Sequence, residues 1–136
     1  MSTLVAYAMQ FVGTPYVWGV RDCSWFVQEI LKSVGLDPKG DQNAQMLYTI
    51  FHKEGVVPRG RGALCFYGKS VSTITHVAFM INEVQVIEAG GGDSTTVTKE
   101  LAEKKDGAFV RIRPYNHRPD LIGIAMPDYP DWVLHG

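Results

Sequence analysis

Apolar residues in the first third of the chain recur at helical spacing. Leu4, Val5, Ala8, Met9, Phe11 and Val12 predict a helix over residues 2–12, with Ser2 and Thr3 as possible caps. Gly13 suits its end and Thr14-Pro15 opens a loop. A second stripe, Phe26, Val27, Ile30, Leu31 and Val34, predicts a helix from Cys23 to about Val34. Asp22 is placed to cap it, and Gly35 followed by Leu36-Asp37-Pro38 stops it. A third helix is expected from Asn43 to His52, with Ala44, Leu47, Ile50 and Phe51 inward and Gly55 and Pro58 closing it.

The pattern then changes to strands. Ala63-Leu64-Cys65-Phe66-Tyr67 is a short apolar run ended by Gly68. Thr75 to Ile81 and Val84 to Ala89 flank Asn82-Glu83 and read as a hairpin, followed by Gly90-Gly91-Gly92-Asp93 as a flexible turn. Thr98 to Lys105 suits a short helix. Phe109 to Arg113 alternates as a half-buried strand, and Leu121 to Met126 supplies another. The tail through Pro127, Pro130, Asp131 and Gly136 reads as irregular. Helices first and an antiparallel sheet of about five strands after them make an α+β class, expected as a single domain over residues 1–136.

Composition narrows the field. At 136 residues, 46% hydrophobic and 20% charged, the chain is an ordinary globular one with enough length for a core. A formal net charge of −1 argues against nucleic acid as partner and against stable membrane association, and no apolar run reaches membrane-spanning length. No signal peptide is visible at the N-terminus, so synthesis in the cytoplasm is expected. The two cysteines, Cys23 and Cys65, are expected to stay reduced there. Without a Cys-x-x-Cys pair or His-Glu-x-x-His helix, no metal or other cofactor is expected.

Chemistry concentrates at two places. Cys23 falls in the first turn of a helix, where unpaired N–H groups and the helix dipole favour an anion and hence the thiolate form of sulfur. On position alone a small core residue is the commoner reading, and the loop before Cys23 and a partner further along the chain weigh against it. A nucleophilic thiol needs a base and a group to orient that base. Of the four histidines, His52 ends a helix beside Lys53 and Glu54, His117 lies in a loop without a rigid seat, and His135 adjoins the C-terminus. Only His76 begins a strong strand. A turn centred on Asn82 sets Glu88 opposite it, on the same face and about 5 Å away at Cβ. A carboxylate there holds one ring nitrogen and leaves the other for sulfur, although a satisfied core histidine remains the alternative. Cys65 is expected to be a buried strand residue.

These stretches resemble the NlpC-type papain-like cysteine peptidases of bacterial cell walls and their phages. Gly13-Thr14-Pro15-Tyr16-Val17-Trp18-Gly19 and Asp22-Cys23-Ser24 are similar to the family's G-T-P-Y-x-W-G-G and D-C-S motifs, Gly62 to Tyr67 to its G-D-L-V-F-F strand, and His76-Val77-Ala78-Phe79 to its H-V-(G/A) strand. The resemblance implies a papain-like fold with the nucleophile at a helix N-terminus, Cys23 as nucleophile, His76 as base and Glu88 as orienting residue. It implies a peptidoglycan stem peptide as substrate, cut between D-γ-glutamate and diaminopimelate, and Tyr16, Asp22 and Ser24 around the amino-side subsite. Trp25 stands where the family usually has Gly and would crowd that subsite. Ala63 replaces the usual Asp, and Glu88 a more common His, Asn or Gln.

The expected setting is a phage endolysin or tail-associated lysin acting on the wall after holin release, virion delivery or injection. An interbacterial amidase effector, a non-catalytic tail or wall-binding module and a lipid acyltransferase are the rivals. Arg111, Arg113, His117 and Arg118 form a local basic group that either meets substrate carboxylates or is a solvated loop. A monomer is favoured.

Overall fold

The computed structural model describes residues 1–92, 95–105 and 107–136. Helices α1 (Ser2–Met9), α2 (Cys23–Lys32) and α3 (Ala44–Phe51) precede strands β1 (Leu64–Ser70), β2 (Thr73–Met80) and β3 (Gln85–Gly90). Helix α4 (Lys99–Lys104), strands β4 (Phe109–Pro114) and β5 (Leu121–Ala125) and a terminal turn of helix, α5 (Asp131–Leu134), complete the chain. The strands form one antiparallel sheet in the order β4-β3-β2-β1-β5. This is the α+β arrangement expected.

The α2 stripe forms as its period predicts. Phe26, Val27, Ile30 and Leu31 are fully buried against the sheet with Phe66, Val77, Phe79 and Ile87. The Asp22 side chain accepts the Trp25 backbone N–H at its start. At its end Gly35, at φ +75°, lets the Leu36 N–H reach the Leu31 carbonyl. In α3 the inward positions are Ala44, Leu47 and Tyr48, while Ile50 is half exposed. The cap is Asn43, which moves the helix start one residue beyond the expected one.

Other expectations are corrected. Ser2 lies inside α1 and its hydroxyl donates to the Gly136 carbonyl instead of capping. The tail is not irregular. Pro130 fixes the entry to α5, Val133 is buried, and the Met1 ammonium donates to the Val133 and Gly136 carbonyls. Gly68 does not end β1, which runs on to Ser70. The glycines after β3 are packed and not a loose turn: a Cβ on Gly92 would lie 1.9 Å from the Tyr16 ring. Asp93, the last residue of that expected turn, lies outside the described residues.

Two irregularities shape β2. Tyr67 faces His76 but Gly68 faces Ile74, so Thr75 is an extra residue on β2 and forms a bulge beside His76. The missing side chain of Gly68 makes room for it, since a Cβ there would lie 2.1 Å from the Thr73 carbonyl oxygen. The hairpin register also differs from expectation. Phe79 pairs with Ile87 and Met80 with Val86, which centres the turn on Glu83 and not on Asn82. Asn82 instead folds its side chain onto the Val84 and Gln85 N–H groups, which takes Val84 out of the strand.

Gly68→Ala is expected to destabilise the protein by about 1–3 kcal/mol through overpacking at the bulge. Gly60→Ala, with open space around its Cβ, is the control expected to stay near zero. Urea unfolding of both variants checks this.

Candidate active site

Cys23 occupies the first position of α2, held by the Asp22 cap behind it, and is 8% exposed. The Ser24 hydroxyl donates to the same Asp22 oxygen at 3.0 Å, so the cap is braced from two sides. His76 hydrogen-bonds Glu88 on one side and interacts electrostatically with the Cys23 thiol on the other. His76 Nε2 lies 2.9 Å from Glu88 Oε1. A carboxylate only accepts, so Nε2 carries the proton and Nδ1 is the nitrogen left for sulfur.

His76 and Glu88 meet, though not as directly opposed residues. The observed register would set Ala78 opposite Glu88 and places His76 one same-face position further on. The shift is an even number of residues, so both side chains keep the same face. The reach of a glutamate and an imidazole spans the diagonal.

Glu88 is fully buried and its second oxygen is also occupied. Arg111 stands directly across the β3–β4 ladder, and its Nε and Nη2 each lie 3.1 Å from Oε2. His117 Nε2 approaches Oε2 at 3.3 Å but out of line for a hydrogen bond, while its Nδ1 donates to the Pro114 carbonyl at 2.9 Å. His117 is thus seated against Glu88 and the Tyr67 ring, contrary to the loose loop expected. The local basic group is largely consumed inside the fold. Arg111 serves Glu88, and Arg118 makes two bonds with Asp120 at 2.9 and 2.8 Å.

Burial disfavours a charged His76 ring, but its interactions with Cys23 and with the Glu88 carboxylate outweigh this and push its pKa up to about 9. Burial alone would raise the Glu88 value. The hydrogen bond and charge of His76, then the charges of His117 and Arg111, instead hold it down to about 2. The pair is therefore an imidazolium–carboxylate ion pair at neutral pH. Cys65 is fully buried as expected, and burial pushes its thiol up to about 12.

Among the residues expected to meet substrate, Asp22, Ser24 and Trp25 line one pocket of about 240 Å³, together with Asp41, Gln42 and Met46. Trp25 packs edge-on against Phe11 and so forms a fixed wall. Tyr16 does not line this pocket and is 6% exposed, with its ring against Gly92. A more apolar pocket of about 250 Å³ lies between α1 and α5, lined by Leu4, Tyr7 and Trp132 among others, and includes none of these residues.

Sequence reasoning did not connect Arg111 or His117 with Glu88. The strand alternation around Arg111 was legible, but nothing local showed that its neighbour across the ladder is a buried acid.

The family model described as NlpC/P60 family matches residues 13–111, from the loop before Cys23 through Arg111. This chain belongs to the NlpC/P60 family. Solved structures agree on the fold. An NlpC/P60 family protein from Bacillus cereus superposes with a TM-score of 0.66 at 21% identity, covering 95% of this chain and 40% of that one. The peptidoglycan hydrolase RipB from Mycobacterium tuberculosis gives 0.65 at 21% identity, covering 95% of this chain and 66% of RipB. RipD from the same organism, a non-catalytic NlpC/p60 domain protein adapted to peptidoglycan binding, gives 0.66 at 17% identity over 93% of this chain and 95% of its own. The chain thus spans about two fifths of the Bacillus cereus relative. No curated protein matches the sequence.

The two shifted groups fix a pH dependence of stability. Folding raises the His76 value, so its contribution is fully present below pH 6.5 and is lost as pH rises through about 9. Folding lowers the Glu88 value, so its contribution is present above pH 4.5 and is lost as pH falls through about 2. Urea unfolding is expected to give greatest stability from this pair between pH 4.5 and 6.5. The alkaline decline should flatten in His76→Asn.

Proposed function

We propose that the protein is a thiol-dependent peptidoglycan hydrolase that cuts stem peptides at the D-γ-glutamyl-diaminopimelate bond. What supports this is the hydrogen bond of His76 to the buried Glu88 carboxylate, together with the electrostatic interaction of the same ring with the Cys23 thiol. A core histidine has no need of a thiol on one side and an ionised carboxylate on the other. Family membership supplies the polymer.

In this reading His76 holds the proton of Cys23, leaving a thiolate beside an imidazolium. The sulfur attacks the scissile carbonyl carbon and forms a tetrahedral oxyanion. The Cys23 backbone N–H, one of the first-turn donors of α2 without an intrahelical acceptor, meets that oxyanion. His76 gives its proton to the departing amine nitrogen as the C–N bond breaks, which leaves a thioester on Cys23. The neutral ring then takes a proton from water, whose oxygen displaces the sulfur and releases the acid. Glu88 keeps the ring aligned and balances its charge in both half-reactions.

Asp22 and Asp41 give the pocket beside the nucleophile an acidic lining, which suits the free amine of a trimmed stem. Trp25 narrows the approach. Action at the wall after holin release, virion delivery or injection belongs to the same proposal. A holin, tail or immunity gene beside the coding sequence separates these routes.

The RipD likeness gives a second reading some weight, that of a wall-binding module without turnover. Digestion of purified peptidoglycan with mass spectrometry of the products decides between them. Cleavage with a new free diaminopimelate amine is expected, and Cys23→Ala is expected to lose at least about a thousandfold in rate while unfolding at an unchanged midpoint. Binding without products would support the RipD-like reading. Unchanged turnover in Cys23→Ala would remove the nucleophile.

A further inference from the structure

Glu88 divides its two oxygens between different tasks. Oε1 faces His76, while Oε2 is gripped by the Nε and Nη2 of Arg111, whose Nη1 donates to the Gly107 carbonyl at 3.2 Å. The guanidinium fills a space left by missing side chains. A Cβ on Gly90 would lie 2.6 Å from Glu88 Oε2 and 3.2 Å from Arg111 Nη2. A Cβ on Gly91 or Gly107 would lie 2.9 or 3.1 Å from Nη1. Three glycines from two segments thus make room for one side chain, in direct register with the acid it grips.

We propose that Arg111 is a positioning residue, and that the group orienting His76 is a Glu88–Arg111 unit and not a lone carboxylate. This rests on the thiol–imidazole reading of the site. The reason is chemical. A carboxyl group without water takes up a proton unless cations surround it, and once neutral it no longer balances an imidazolium. It also has two equivalent oxygens and free rotation about its last bond. The Nε–H bond to Oε2, reinforced by the Nη2 charge beside it, restrains that rotation and leaves Oε1 aimed at Nε2.

Among the described residues, the titratable and charged groups around Glu88 are His76 on β2, Cys65 and Tyr67 on β1, Arg111 on β4, and His117 and Arg118 beyond it. Of these, Arg111 alone donates a hydrogen bond to Oε2, from Nε, with Nη2 beside it at ion-pair distance. His117 reaches the same oxygen but not in hydrogen-bonding line, so it adds charge without direction.

The test uses Arg111→Met, Arg111→Lys, Glu88→Gln and the Glu88→Gln/Arg111→Met double variant. Two readouts apply: muropeptide kcat and KM, and the pH profile of Cys23 alkylation by iodoacetamide, mapped by peptide so that Cys65 is scored separately. Arg111→Met is expected to lower kcat about tenfold with KM within about twofold, because an interaction with the base and not with substrate is lost. Its acid limb of alkylation should move up by about one pH unit, since Glu88 loses the cation that keeps it ionised. In the Glu88→Gln background the same change should cost less than about twofold, because Arg111 acts through Glu88.

Equal losses in both backgrounds, or an unmoved acid limb, would overturn the proposal and leave Arg111 a staple between β4 and Gly107. Should Arg111→Met fail to fold, Arg111→Lys replaces it and is combined with Glu88→Gln in the same way. The charge is then kept and the directed Nε–H bond lost. A kcat loss that disappears once Glu88→Gln is present supports the proposal, and one that persists overturns it. A wild-type profile like that of an ordinary free thiol would instead sink the thiol–imidazole reading, and this proposal with it.

Discussion

An ionised carboxylate removed from water must be answered by positive charge from the protein, and Glu88 imposes that requirement on three separate segments. His76 comes from β2, Arg111 from β4 and His117 from the connection to β5. Removing one partner of such a buried set costs far more than the set is worth in net stability, because the remainder is left uncompensated. The arrangement is therefore better understood as fixing geometry than as adding stability. The local irregularities of the sheet gather around it. β3 lies in close register with β4, where Glu88 meets Arg111, while β2 carries its bulge at Thr75, immediately before His76.

β4 does a second job. The loop that leads to Cys23 is hydrogen-bonded along it. Gly13 N–H donates to the Val110 carbonyl at 2.9 Å, Val110 N–H to Thr14 at 2.8 Å, and Tyr16 N–H to Ala108 at 3.0 Å. One residue along, Arg111 holds Glu88. A single strand thus positions the segment before the thiol and the acid behind the imidazole. α2 closes the circuit by packing Phe26, Val27, Ile30 and Leu31 on the sheet that carries His76. The helix that begins at Cys23 and the strand that carries His76 are thus packed on one core.

A glutamate hydrogen-bonded to His76 changes the electrostatics relative to a neutral side chain. It gives the imidazolium a full counter-charge, and His76 remains protonated well above its ordinary range. A neutral residue would orient the ring without supplying that charge. The extra cations around Glu88 are the structural consequence, since a lone carboxylate in this interior would be driven toward its neutral form.

What the sequence determined by itself was local. The Asp22 cap and the thiol on the first turn follow from contacts between near neighbours in the chain, the α2 stripe and the apolar run around Cys65 from periodicity within one element, and each formed as read. The common face of His76 and Glu88 survived a wrong register because strand alternation depends only on parity. Tertiary structure alone decided what Glu88 touches beyond His76. Arg111 is distant in the chain, and its charge reads as solvated until β4 is set beside β3. Likewise the contact of the Met1 ammonium with the carbonyls at the end of α5 is a tertiary one, and Gly90 to Gly92 read as a turn until Arg111 and Tyr16 occupy the space of their missing side chains. Capping and periodicity are interactions within one element, so the chain order encodes them. A buried charge chooses its partners from whatever the packed core brings within reach.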